Sequence, residues 1–449
     1  MTPSTPTNGT RRGFAVLLAA EAVSRVGSRM SFLALPWFVW VTTHSAAQMG
    51  IVGFAEMLPY VIAQAFGGPL LDRIGAKRAS VIGDVVAVAG VGAIPLLAGY
   101  HLLGFGALLI LVGVTGAARG AADNAKTVLL PSLIGDLATE RATGLHDGVA
   151  RLATLIGAPL GGVLIGLFSA QAVLVIDAAS FAFAALAIGW FVPSRARTAV
   201  GSAAASRAPY LTSLREGFRW LRHDRLTLGI GAMLFITNLA DQAVNAVLLP
   251  LWAAQVTGTA LAAGVVSGAL GLGALAGSFA FAALGPRLPR RLTFAICFLV
   301  LGAPRCLVFA LTDNLPTVLS VALIAGIAAG SINPILGAVA YERIPPELLA
   351  RVFGAVGALA WAGIPLGGLI AGALVPLVGL SGAFAALAVI YFAATLAPFF
   401  GSTWRQMDDR RLPAGDAELG VGTDDGVTGV VEPAVREHDP AGAGAAATR

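Results

Sequence analysis

Glu21, Arg25 and Arg29 recur every fourth residue inside an otherwise apolar stretch. On a helix that spacing stacks them on one stripe, with Ser24 and Ser28 alongside. The device returns with Arg119 and Asp123 at i and i+4, beside Asn124, and again with Asn238, Asp241, Gln242 and Asn245 at i, i+3, i+4 and i+7. Asn333 stands in a later apolar run, and Glu56 sits midway through another with no cation near it in its own helix. An isolated carboxyl group in hydrocarbon is cheapest when neutral, which suits a group that takes up and releases a proton. Glu21, Glu56 and Asp241 are therefore the candidate proton-coupling groups. Guanidinium, amide and carboxylate groups on shared faces can hold the polar parts of a small solute. Arg25, Arg29, Arg119, Asp123, Asn124, Asn238, Gln242, Asn245 and Asn333 form that candidate cavity set.

The chain demands such a reading because its bulk belongs in lipid. Of 449 residues, 57% are hydrophobic and 12% charged, against about 25% charged in soluble domains. Mean hydropathy is +0.82. At about 2.5–3.5 kcal/mol each, the three charges of the first stripe would cost ~10 kcal/mol facing lipid, so they must face protein or water. Enzyme chemistry finds no support: there is no G-x-x-x-x-G-K-[ST] phosphate loop, and His44, His101, His146, His223 and His438 are scattered, so neither cofactor nor metal is expected. Cys297 and Cys306 lie nine helical steps apart, roughly 13 Å of rise, too far for a disulfide.

The elements that position these groups are apolar runs of about 20 residues or more. They fall approximately at 13–41, 46–70, 79–99, 104–127, 145–168 and 171–192, then at 226–253, 261–285, 290–312, 315–341, 350–376 and 381–402. An all-α membrane protein of 12 transmembrane helices in two pseudo-symmetric six-helix bundles is expected. Lys and Arg occupy alternate connections: Arg11 and Arg12, 71–78, Arg141 and Arg151, 195–225, 287–291, Arg343 and Arg351. The connections at 42–48, 99–103, 169–171, 254–260, 312–314 and 376–382 contain none. The positive-inside rule puts both termini in the cytoplasm of a multi-pass cell-membrane protein. The net charge of +5 expresses this loop bias and no nucleic-acid site. The first run is too long and too charged for a cleaved signal peptide, so it is expected to be retained.

This divides the chain into a cytoplasmic N-terminus (1–12), an N-terminal bundle (13–192), a linker (193–225), a C-terminal bundle (226–402) and a disordered cytoplasmic tail (403–449). Within the linker, Leu211, Leu214, Phe218 and Leu221 share one helical face and Arg215, Arg219 and Arg222 another, the pattern of an amphipathic helix on an anionic leaflet. Gly157-Ala-Pro159-Leu-Gly161-Gly162 in span 5 recurs as Gly363-Ile-Pro365-Leu-Gly367-Gly368 in span 11. Small residues let helices approach and proline allows a bend, so packing alone and a role in transport-like motion both remain open.

Between spans 2 and 3 the segment from Gly68 through Leu70, Asp72, Arg73, Gly75 and Lys77 resembles the signature loop G-x-L-A-D-R-x-G-R-K of the major facilitator superfamily, with Arg78 in place of a basic residue at Ala76. Leu214 to Leu226, Val23 to Trp37 and Leu130-Pro-Ser-Leu133 resemble bacterial exporters of that superfamily related to macrolide efflux pumps and the enterobactin exporter. The resemblance implies that spans 1, 4, 7 and 10 line a central cavity, and those four spans carry most of the polar groups singled out above. It also implies a monomer with a small-molecule substrate. Counting ~1.5 Å per residue from the basic ends puts Glu21 and Arg119 at similar depth, and Arg29 and Asp241 at similar depth, so each pair is expected to meet. Asp72 and Asp84 with Arg73, Lys77 and Arg78 are expected to form a latch at the basic end, while Asp177 and Arg305 fall in peripheral spans.

The expected function is export of an amphipathic small molecule, such as a drug, antibiotic, siderophore or secondary metabolite, in exchange for protons. The alternatives are gradient-driven uptake or facilitated passage of a nutrient, and a membrane receptor without flux. The loop bias makes a direct prediction: a cysteine at Ser45 should react with an impermeant thiol reagent added outside, and one at Ala204 should not. Labelling at Ala204 from outside would reverse the topology.

Overall fold

The computed structural model describes residues 8–134, 139–193 and 210–409. The expectations for residues 1–7, for 194–209 of the linker and for the tail beyond 409 lie outside the described residues. In chain order the helices are α1 (Asn8–Thr43), α2 (Ala46–Phe66), α3 (Gly68–Ile74), α4 (Ala76–Gly99), α5 (Phe105–Leu133), α6 (Thr139–Leu167), α7 (Ala170–Phe191), α8 (Tyr210–His223), α9 (Arg225–Ala243), α10 (Leu249–Trp252), α11 (Ala260–Leu284), α12 (Arg290–Leu311), α13 (Leu315–Arg343), α14 (Leu349–Trp361) and α15 (Gly363–Leu396). Among the described residues, ten helical segments are long and apolar enough to cross a bilayer. The helix α1 joins them by length, set apart only by its charged stripe. The last of the ten is two spans, because Gly379 at φ 75 breaks the helix just past Pro376. The structure thus agrees with twelve spans. Spans 1–6 are α1, α2, α4, α5, α6 and α7; span 7 is α9 with α10; spans 8–10 are α11, α12 and α13; α14 and α15 supply spans 11 and 12.

Lipid offers backbone groups no partner, so helix starts must be capped. Ser45, Ser169, Asp224 and Asn314 do this for spans 2, 6, 7 and 10, each side-chain oxygen accepting from the amide three residues on. Span 7 departs from regular α geometry around Pro250, which has no N–H to donate. The ladder loosens into π-helical turns at Val244–Leu248 and Ala253–Thr257. Span 11 breaks at Ala362, between α14 and α15, where Pro365 would clash with the Trp361 carbonyl. Ala362 keeps helical angles there (φ -60, ψ -23), and the equivalent Pro159 lies within the unbroken α6.

The glycines of the repeat show what it packs. A Cβ on Gly161 would lie 3.0 Å from the Met30 Cα of span 1, and one on Gly157 would meet the Arg29 stem. Gly162 instead faces span 8, where a Cβ would lie 2.9 Å from the Ala260 carbonyl. In the second half Gly363 and Gly367 abut the Phe235 and Leu239 carbonyls of span 7, while Gly368 faces Gly50 of span 2. Each copy therefore binds its helix to a neighbour in its own bundle with two glycines and to the other bundle with the third.

Two sequence-based readings change. The charged signature segment is a short helix, α3, ended by Gly75 at φ 84, a left-handed value open to glycine. Lys77 Nζ then donates to the Val192 carbonyl at the end of span 6 (2.6 Å), tying the segment to its own bundle. The side chain of Asp72 falls outside the described residues. The apolar face of α8 packs on protein, where the sequence pattern put it on lipid. Leu221 is buried, Gly217 abuts the Arg351 backbone, and Arg351 Nη1 donates to Glu216 Oε2 (2.6 Å) at the start of span 11.

Spans 1 and 2 meet span 7 through Val244–Leu248, and span 1 also through α10, both next to the connection 254–260 that lacks Lys and Arg. One apolar cluster there joins Met30, Leu33 and Met49 to Leu248, Trp252 and Ala260. The bundles pack closely at that end, and Arg29 and Asn333 are exposed. Gly368→Leu should overpack this seam by about 1–3 kcal/mol, raising thiol labelling of a cysteine at Asn245. Gly144→Leu, where a Cβ meets open space, should leave labelling unchanged; equal labelling in both would refute this role of the seam.

Candidate functional site

Span 1 brings its charged stripe to the space between the bundles. Glu21 Oε1 accepts from Arg25 Nε and Nη2 at 2.7 and 2.6 Å, one helical turn apart. Its other oxygen stands 2.9 Å from His146 Nδ1 of span 5. Glu21 is buried, while the Arg25 side chain is 30% exposed, so the acid faces the bundle and the cation leans toward water. The expected meeting of Glu21 with Arg119 does not occur.

Arg119 instead answers Glu56, its Nη1 lying 2.8 Å from Oε1. Glu56 is thus not the isolated acid its own helix suggests. Cβ atoms on Gly116 and Gly120 of span 4 would collide with the Glu56 and Tyr60 carbonyls of span 2. Glycine at both places lets the two backbones come so close that Arg119, one residue before Gly120, reaches across. Asp123, freed from Arg119, accepts from Tyr60 Oη at 3.2 Å, and Gln64 Nε2 donates to the same hydroxyl at 3.2 Å. Asn124 Nδ2 donates to the Gln64 carbonyl (3.3 Å).

Arg29 does not contact Asp241. Asp241 pairs with Arg305 of span 9, a residue the sequence places at the periphery, beside Cys306 and Tyr391. Equal depth yields neither expected pair, because depth says nothing about azimuth. Asn238 Nδ2 donates to the Ala360 carbonyl of span 11 (2.9 Å), and Gln242 is buried where Gly367 packs on its Cβ. Both serve the span 7–span 11 contact and leave the cavity set. Asn245 is half-buried in the π-turn, and Asn333 is exposed.

Arg29 is the residue left over. It is exposed, lies within electrostatic range of Arg25, Tyr60, Arg119 and Asp123, and has no hydrogen bond or ion pair among the described residues. A guanidinium held so, with its stem against Gly157, can receive an acceptor from a bound molecule. Among the described residues no group of His, Cys, Asp and Glu could hold a metal ion.

One buried pair is absent from the sequence reading. Lys126 Nζ and Asp84 Oδ1 lie 2.8 Å apart with each side chain 1% exposed, joining spans 4 and 3. Asp84 therefore does not belong to the proposed latch. The available signal is Lys126 three residues after Asp123 in an apolar run. His146 is hidden for a different reason: it is the second residue of its predicted span, one of five histidines scattered along the chain with no spacing that marks it.

A sequence model of the Major Facilitator Superfamily matches residues 17–240 and again 230–421. The multidrug efflux pump Tap of Mycobacterium tuberculosis is 28% identical over 427 residues, 93% of this chain and 99% of that protein. Macrolide efflux protein A of Streptococcus pyogenes is 20% identical over 366 residues, 80% of this chain and 88% of its own. The crystal structure of the nucleoside transporter NupG superposes with a TM-score of 0.66 at 14% identity, covering 88% of this chain and 100% of that one; at that identity it speaks for the fold alone.

Breaking a buried ion pair leaves an uncompensated charge. Lys126→Met should destabilise the chain by about 3–5 kcal/mol. Lys126→Met combined with Asp84→Asn should recover most of that loss, measured by thermal unfolding in detergent. Additive losses in the double variant would show that the two groups act independently.

Proposed function

The chain belongs to the major facilitator superfamily, and from that premise we propose that it exports an amphipathic small molecule, a drug, antibiotic, siderophore or secondary metabolite, across the cell membrane in exchange for protons. Membership makes it a multi-pass membrane protein of a transporter family and no enzyme. Both termini are read as cytoplasmic from the loop charges, and the chain as working alone.

One observation carries the reading: Arg29 is exposed and, among the described residues, unpaired, on a span that packs against span 7 beyond it. A permanently unpaired cation in a low-dielectric cleft is costly, and a passing substrate is the partner it lacks. Around it Asp123 and Tyr60 supply a hydrogen-bonding wall, and Arg25 remains partly in water. The names of the mycobacterial and streptococcal relatives favour outward movement of drugs over uptake. Carboxylates that close against cations inside one bundle, buried at Glu21 and Glu56 and half-buried at Asp241, supply groups whose protonation can differ between the two states of an alternating-access cycle. The segment carrying Asp72, Arg73, Lys77 and Arg78 would brace the basic end when the cleft closes there.

Expression in a bacterial host stripped of its own pumps should lower ethidium accumulation and raise resistance to a macrolide. Arg29→Gln should cut that protection by about tenfold, the loss of one charge-assisted hydrogen bond. Accumulation that rises on expression would favour uptake, and no change for any compound of a broad panel would reject transport of this class.

A further inference from the structure

The pair Glu56–Arg119 has a third member. Asp177 of span 6 is 1% exposed and within electrostatic range of both. Its Oδ1 receives only the Ser180 hydroxyl, at 3.2 Å, and that hydroxyl already donates to the Asp177 carbonyl at 2.7 Å. Its Oδ2 and the buried Thr115 hydroxyl have no partner among the described residues, and the Ser31 hydroxyl stands beside the same carboxyl without a well-formed hydrogen bond. These orphan atoms belong to one place. Asp177, Ser31, Thr115, Glu56 and Arg119 line a cavity of about 20 Å³ whose remaining wall is aliphatic.

A water needs roughly 10–15 Å³ of such space and two to four polar partners. The cavity therefore fits one water, touching Oδ2 of Asp177 on one side and the Glu56–Arg119 pair on the other. The charge count then decides the rest. A guanidinium does not lose its proton in a protein, so two ionised carboxylates beside one arginine would leave a net negative charge inside the membrane. Arg119 is the one cation within electrostatic range of either carboxyl among the described residues. From span 1 the neighbours are Gly27 and Ser31, and from span 3 Val91 and Ile94. Span 5 has no titratable residue from Leu152 to Leu167. Within range of Arg119 itself lie one further carboxylate, Asp123, and one further guanidinium, Arg29, whose charges offset each other.

We propose that Asp177 holds a proton on Oδ2, and that the water in this cavity connects it to Glu56 so that one proton and one guanidinium are shared between two carboxylates. When the proton passes through the water to Glu56, Glu56 releases Arg119, and the guanidinium turns to the newly charged Asp177. Charge and protons balance: one carboxyl is neutral and one is paired before and after. The swap changes which helix Arg119 holds, span 2 or span 6, and so links a proton position to helix packing. As a coupling step it rests on the antiport reading above; as a proton site it stands without it.

The test is infrared spectroscopy of the purified full chain in lipid at neutral pH, with no substrate. A protonated-carboxyl C=O band should be present, should vanish in Asp177→Asn and should persist in Asp84→Asn. In the unmutated chain, ¹³C at the aspartate side-chain carboxyl should move the band, which keeps the answer available if a variant fails to fold. Thr115→Val, which removes one water partner at constant shape, should shift its frequency. A band that survives Asp177→Asn, ignores the aspartate label, or is absent altogether would overturn the proposal. Ethidium flux in proteoliposomes under an imposed pH gradient separates the two readings. An Asp177 band with no gradient-driven flux ends antiport and keeps the site, and flux without the band does the reverse.

Discussion

Contact between backbones at glycine is the constraint on which the rest of this molecule depends. Apolar side chains gain nothing by leaving lipid for one another, so spans must associate through close packing and hydrogen bonds. Gly116 and Gly120 press span 4 onto the carbonyls of span 2, and only at that separation can Arg119 reach Glu56. Gly157 admits the stem of Arg29 and aims its unpaired guanidinium at the cleft. Gly162 and Gly368 bring the two bundles together at the closely packed end. A methyl group at Gly116, Gly120 or Gly157 would move a charge as well as a helix.

The charges obey a second rule. The ion pairs Glu21–Arg25, Glu56–Arg119 and Asp84–Lys126 close within the first bundle. Asp241–Arg305, Arg290–Glu342 and Arg343–Asp224 close within the second. Intramembrane charges thus satisfy each other locally, where neighbouring helices stay together. Among the described residues Asp123 and Asp177 settle for hydroxyl donors, and Arg29 is left without a hydrogen bond or ion pair.

The fold was legible because it rests on composition: span length and a duplicated G-x-P-L-G-G are both written along the chain. The stripes on spans 1 and 4 were legible too, since i and i+4 periodicity is local. Partners were not. Glu56 read as solitary because its cation lies 63 residues away on another span, and no period within one helix reveals how two helices are rotated against each other. Asp241 failed likewise, matched by depth to Arg29 when azimuth gave it to Arg305. Asn238 and Gln242 show the same limit: a polar stripe meets a neighbouring helix as readily as a cavity.

These two rules together explain how such a molecule can move. If an ion pair bridged the bundles inside the membrane, separating them would strand both charges, at about 3–5 kcal/mol for each pair broken. The contacts that hold the closely packed end are of another kind: Gly50 on Gly368 and Gly372, Gly162 on Leu261 and Gly264, and apolar side chains around Trp252. Such surfaces exchange protein for lipid or water with no unsatisfied charge, and each bundle carries its ion pairs along intact. A change inside one bundle, at Glu56 and Arg119 on the helices that flank the cleft, can then tilt the balance between two packings whose difference is small. Strong interactions are kept where nothing moves and weak ones where movement must occur, and that division follows from where the glycines and the charges fall.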